Sequence, residues 1–194
     1  MLGLQTQTMW KIKSDCTVEI AKNFLLEDFI KSVKRTRILY IETELPPDIG
    51  HGFFEPIMLI LCWCDFIGAL YTGKGDWKDS SDRAEIFIKE VMNNINPKYA
   101  QSAKLLIKNY RHGSVHAYAP GGNFNILIDE PNSHLQQQHK PHVLKVNINN
   151  LIDDFEKSIE WFANNLTDSN NPDECGSLAA FNQARQSLLK YETE

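Results

Sequence analysis

Arg111 and His116 stand five residues apart, near the middle of a chain of 194, in the run Arg111-His112-Gly113-Ser114-Val115-His116. An imidazole titrates close to neutral pH, so it can take a proton from a hydroxyl or give one to a leaving oxygen. A guanidinium presents a planar fork of donors that matches phosphate. Together the two side chains suit an anion, and a phosphodiester is the obvious one. Lys104 and Lys108 come just before, four apart, and His112 follows Arg111 directly. These three are the candidate substrate contacts.

What positions them is a helix expected over about 97–118. Asn96 serves as its N-cap and Pro97 as its first residue. Tyr99, Ala103, Leu106, Tyr110, Gly113 and Ala117 recur at alternating steps of four and three, which lays one apolar stripe along the rod. At about 100° per residue, Lys104, Lys108, Arg111, His112, Val115 and His116 all fall on the opposite half. No acidic residue lies between Pro97 and Pro120. The helix thus offers a face to bury and, behind it, a cationic face for an anion. Arg111 and His116 are separated by roughly 140° on one rod. They converge most easily where two copies of the helix pack together, and Gly113 and Ser114 are small enough to allow that.

The motif Arg111-His112-Gly113-Ser114-Val115-His116 resembles the arginine, polar residue, spacer, histidine signature of HEPN domains. The wider segment LLIKNYRHGSVHAYAPGG is similar to uncharacterised bacterial proteins carrying a YRNGLVH-type segment. The resemblance covers about residues 20–120. It implies a helical bundle that forms a homodimer and cuts RNA without a metal; the cytoplasm is expected on separate grounds, because free cysteines fit a reducing cytosol. Arg111 would stabilise the scissile phosphate, His116 would act as general base or acid, and a 2′,3′-cyclic phosphate would result. His112, Lys108 and Lys104 would contact the substrate. Two departures stand out: histidine replaces the family's usual asparagine after the arginine, and Gly113 lies inside the motif. The alternative is a non-catalytic helical module that dimerises and binds a partner protein.

The rest of the chain predicts a mostly α fold: a helical bundle with a small β-hairpin inserted before the C-terminal helices. A weak strand is expected at Thr8–Lys13. A helix from Ile20 carries Phe24, Leu26, Phe29, Ile30 and Val33 inward and ends in the basic cluster Lys31, Lys34, Arg35 and Arg37. Leu45 to Gly50 breaks regular structure. A second helix, near Glu55-Pro56, is apolar all round and so central. A third begins at Asp82, with Glu85 completing a capping box. After the fourth helix the period changes to two: Phe124, Ile126, Ile128 and Leu144, Val146, Ile148 read as two strands of a hairpin or small sheet. A helix bearing Ile152, Phe155, Ile159, Phe162 and Leu166 and another over 177–191 complete the chain. One domain spans 1–194, with a core bundle at 20–120, the hairpin at 123–148 and the last helices at 149–191.

The net charge of −5 argues against coating nucleic acid through bulk attraction but leaves room for a local basic face. His134, His139 and His142, near Asp129 and Glu130, are a possible metal cluster, but a solvated loop is the better expectation and no metal site is assigned. Cys16, Cys62, Cys64 and Cys175 have no CxxC spacing and read as free thiols filling the core. Trp63 and Trp161 read as core aromatics. The longest apolar run, 57–64, ends at Asp65 and falls short of the ~20 residues that span a bilayer.

Overall fold

The computed structural model describes residues 15–44, 54–108, 124–128, 130–139 and 142–190. Thr8–Lys13, the break at 45–50 and the whole Arg111–His116 motif lie outside them. The described chain opens with one continuous rod: α1 (Val18–Asn23), a π-helical stretch (Phe24–Phe29), α2 (Ile30–Arg37) and a second π-helical stretch (Ile38–Glu42). Then come α3 (Phe54–Thr72), α4 (Ser80–Glu90), α5 (Tyr99–Leu105), β1 (Phe124–Leu127), β2 (Gln136–His139), β3 (His142–Asn147), α6 (Ile148–Asn165) and α7 (Leu178–Lys190). A mostly α fold with a small β element is what the periodicity predicts.

The all-round apolar α3 is the hub: α2, α4, α6 and α7 all pack on it. Its 19 residues are long and apolar enough to cross a membrane, longer than the run 57–64 suggests, yet more than half of the span is buried inside the protein. Two features tie it to the core. Asp65 pairs with Arg83 of α4. Gly68 lets α4 come so close that a methyl there would stand 2.8 Å from the Arg83 carbonyl carbon.

Aromatic rings join the layers. Trp63 stacks on Phe155 at 6.1 Å between centroids, Phe29 meets Trp63 edge-on at 5.6 Å, and Tyr71 meets Phe162 edge-on at 5.4 Å. Trp63 and Trp161 pack against the core without being fully enclosed. On α6, Ile152, Phe155, Ile159, Phe162 and Leu166 are all buried, as their spacing predicts. Each such side chain contributes roughly 1.5–3 kcal/mol. Cys16 and Cys64 fill core positions, whereas Cys62 and Cys175 are exposed.

The β element corrects the simple hairpin. The two predicted strands do pair, but β1 runs parallel to β3, with Phe124 opposite Leu144. The hairpin is made by β2 and β3, which are antiparallel with Gln136 opposite Lys145, so the order is β1-β3-β2. The residues Gln136–His139 carry no apolar alternation, so their pattern reads as loop. Ile148 does not end a strand but starts α6, because the side chain of Asn147 caps that helix by accepting from the Asn150 N–H at 3.0 Å. Similarly α4 starts at Ser80, two residues before the expected Asp82, and has no side-chain cap. Glu85 pairs with Lys89 instead of closing a capping box.

Candidate nucleic-acid interface

The approach to α5 is set by Asn96. Its side-chain oxygen accepts from the Lys98 N–H at 3.2 Å and its carbonyl accepts from the Tyr99 N–H at 3.0 Å. The helix therefore begins at Tyr99 rather than at Pro97, and 106–108 continue it as a π turn. Tyr99, Ala103 and Leu106 are fully buried, which fixes the rotation of the rod. Lys104 and Lys108 are exposed on the far side. No carboxylate of the described residues pairs with either. Arg111, His112 and His116 lie outside the described residues, so only the first half of the expected cationic face is seen.

Three of the four cations in the other basic cluster pair within the chain, and Arg35 is exposed. Lys34 pairs with Glu156 at 3.3 Å, Arg37 pairs with Asp153, and Lys31 pairs with Glu27 at 3.3 Å. The cations at the end of α2 thereby dock on the acidic first turns of α6. Between the two cationic surfaces, the one on α5 is the better placed to meet an outside anion.

Beside α5 the structure corrects the solvated-loop reading of His134, whose residue is only 2% exposed. Its Nδ1 accepts from the Asn147 N–H at 3.1 Å, so the ring proton sits on Nε2. Nε2 lies 3.1 Å from the Tyr99 hydroxyl, which hydrogen-bonds onward to the Asp154 carboxyl. Asn96 donates to that carboxyl from the other side, at 3.4 Å. A single chain of donors and acceptors thus runs from β3 through His134 to α5 and α6. Its ring nitrogens are both engaged, and among the described residues no group of three or more His, Cys, Asp or Glu is placed to hold a metal ion. His139 and His142 face each other as backbone partners across the β2–β3 turn. The hint in the sequence was Tyr99: a buried tyrosine hydroxyl must find a polar partner.

Burial, helped by the Lys98 ammonium, lowers the His134 pKa to about 4. Burial also raises Tyr99 and Asp154. Between about 6.5 and about 4 the unfolded histidine binds a proton that the folded one refuses, so stability is full above that window and falls as pH drops through it. The shift is worth roughly 3 kcal/mol at its lower end. Asp154 acts in the opposite direction, since a carboxyl held up by burial favours the folded state when protonated. Urea denaturation of the wild type at pH 7 and pH 4.5 should show the loss, and His134→Gln should flatten it. Equal slopes for both proteins would contradict the assignment.

Next to His134, Leu135 has φ 57°, the left-handed region, although it carries a branched side chain that is 4% exposed. Such a conformation costs roughly 1–3 kcal/mol and persists only where the surroundings impose it. Here the Leu135 N–H donates to the Lys145 carbonyl at 2.9 Å, and Lys98 Nζ donates to the His134 carbonyl at 3.1 Å. The result is a fixed wall facing α5 across an open groove of about 430 Å³.

No protein-family model, curated protein or solved structure matches this chain.

Proposed function

We propose that the chain binds RNA in the cytoplasm through the outer face of α5 and, as a homodimer, cuts it as a metal-independent endoribonuclease. The observation that carries this reading is the orientation of α5: Tyr99, Ala103 and Leu106 are buried while Lys104 and Lys108 point outward. The α-helical spacing of the sequence assigns Arg111, His112 and His116 to the same face as these lysines. In the reaction the ribose 2′-oxygen attacks the adjacent phosphorus and the bond to the 5′-oxygen breaks. A base takes the 2′ proton and an acid protonates the departing 5′-oxygen, leaving a 2′,3′-cyclic phosphate and a 5′-hydroxyl. His116 serves as base or acid, Arg111 neutralises the charge developing on the phosphate, and His112, Lys108 and Lys104 hold neighbouring phosphates.

The lysines are tested by the salt dependence of binding. Labelled 2′-O-methyl RNA lacks the nucleophile and stays intact while bound. Each phosphate contact on a single strand contributes about 0.7 to the slope of log affinity against log salt concentration. Lys104→Ala/Lys108→Ala should therefore flatten the slope by about 1.4 and weaken binding at low salt. Identical slopes would mean that the face does not meet phosphate.

A further inference from the structure

We propose that the groove between α5 and β2 is a pocket for one unstacked nucleobase of single-stranded RNA. This rests on the reading that the outer face of α5 binds RNA, and it adds what that face reads. The groove, about 430 Å³, is lined by Lys98, Gln101, Ser102, Leu135, Gln136 and Gln137. That volume lies within the ~300–1,000 Å³ range of small-ligand sites. Its chemistry is that of a base edge. The lining holds three carboxamides, and a carboxamide presents a donor and an acceptor side by side, the pattern that pairs with a nucleobase edge. Ser102 and Leu135 are buried and form the floor beneath these side chains. Lys98 supplies positive charge at the rim: its ammonium has three N–H groups, one of which goes to the His134 carbonyl at 3.1 Å.

The groove also has the rigidity that selective binding needs. Gln136 is tied through Nε2 to the Asn132 carbonyl at 2.9 Å. Leu135 is held in its left-handed conformation by its hydrogen bond to Lys145 and by its neighbour His134, which is locked between Tyr99 and Asn147. Backbone strain beside an open groove is a reason to look for function there. The position is right as well. By helical geometry Gln101 projects within about 20–60° of Lys108 and Lys104, so a strand tracking the lysines passes the mouth of the groove. Bases inside a duplex are stacked and cannot enter, whereas single-stranded RNA can splay one out.

The test compares wild type with Gln101→Ala/Gln137→Ala; both glutamines are exposed, so the fold should tolerate the change, and equal melting temperatures would verify that. Probes are fluorescein-labelled 2′-O-methyl oligoadenylate and the same strand annealed to 2′-O-methyl oligouridylate, followed by anisotropy. The expected result is a tenfold or greater loss of affinity for the single strand with duplex binding unchanged. Three results would overturn the proposal. Unchanged single-strand binding by the variant would remove the groove while leaving the RNA reading standing. Equal losses on strand and duplex would mean that the glutamines touch the backbone and not a base. No binding of either probe by wild type would remove both readings.

Discussion

Replacing Arg83 with leucine is expected to cost roughly 3–5 kcal/mol of folding stability. Arg83 is 5% exposed, and its guanidinium meets three acceptors at once. Nε donates to Asp65 on the hub helix α3, while one terminal nitrogen donates to the Lys74 carbonyl at 2.9 Å and the Asp76 carbonyl at 2.8 Å. Leucine fills part of the volume but strips all three of their cation inside the protein. The loss is large because removing one partner of a buried ion pair costs far more than the pair itself contributes. Domains hold only about 5–15 kcal/mol in total, so the variant should melt some 10 °C or more lower. Adding Asp65→Leu should recover part of the loss by removing the carboxylate that Arg83 faces. A loss below about 1 kcal/mol in urea denaturation would mean that water reaches the pair and screens it. The consequence extends to α5, because α4 leads into it through the turn at Asn96, and Arg83 holds α4 to the hub.

The helical part of this fold was legible because burial is written into the period of the chain. The stripe Ile152, Phe155, Ile159, Phe162 predicted the buried face of α6, and the all-round apolar segment after Glu55 predicted the hub. Signals made of one or two polar residues did less well. Asp82 and Glu85 look like a capping box, yet Ser80 and Ser81 already continue the helix and Glu85 finds Lys89 on the next turn. The strand Gln136–His139 was invisible, because its register comes from pairing with β3 and not from alternating apolar residues. His134 was misread for a related reason. A histidine among polar neighbours looks solvated, and only the tertiary meeting of Tyr99, Asn147 and Asp154 shows that it is enclosed. Of the candidate site, the exposure of Lys104 and Lys108 followed from the stripe on the same helix. The groove beside them did not, since it is built from segments more than thirty residues apart.

The second large effect concerns the proposed cleavage. A positioned acid or base accelerates proton transfer by about 10²–10⁴-fold. A guanidinium aimed at developing phosphate charge adds electrostatic stabilisation of comparable weight. Arg111→Ala/His116→Ala should therefore lower the rate by at least about 10²-fold while leaving the melting temperature within a few degrees. Losses from the single substitutions should not add, because the two groups act on one transition state. The Lys104→Ala/Lys108→Ala variant should behave differently, losing rate at low substrate concentration and regaining it as RNA is raised, since uniform binding is what it gives up.

The most direct measurement is incubation of the purified protein with total RNA in EDTA, beside the folded Arg111→Ala/His116→Ala variant, with analysis of the RNA ends. We predict fragments ending in 2′,3′-cyclic phosphate from the wild type and intact RNA from the variant. Binding without cutting, or equal cutting by both proteins, would contradict the nuclease assignment; the former would leave a helical module that holds RNA or a partner protein.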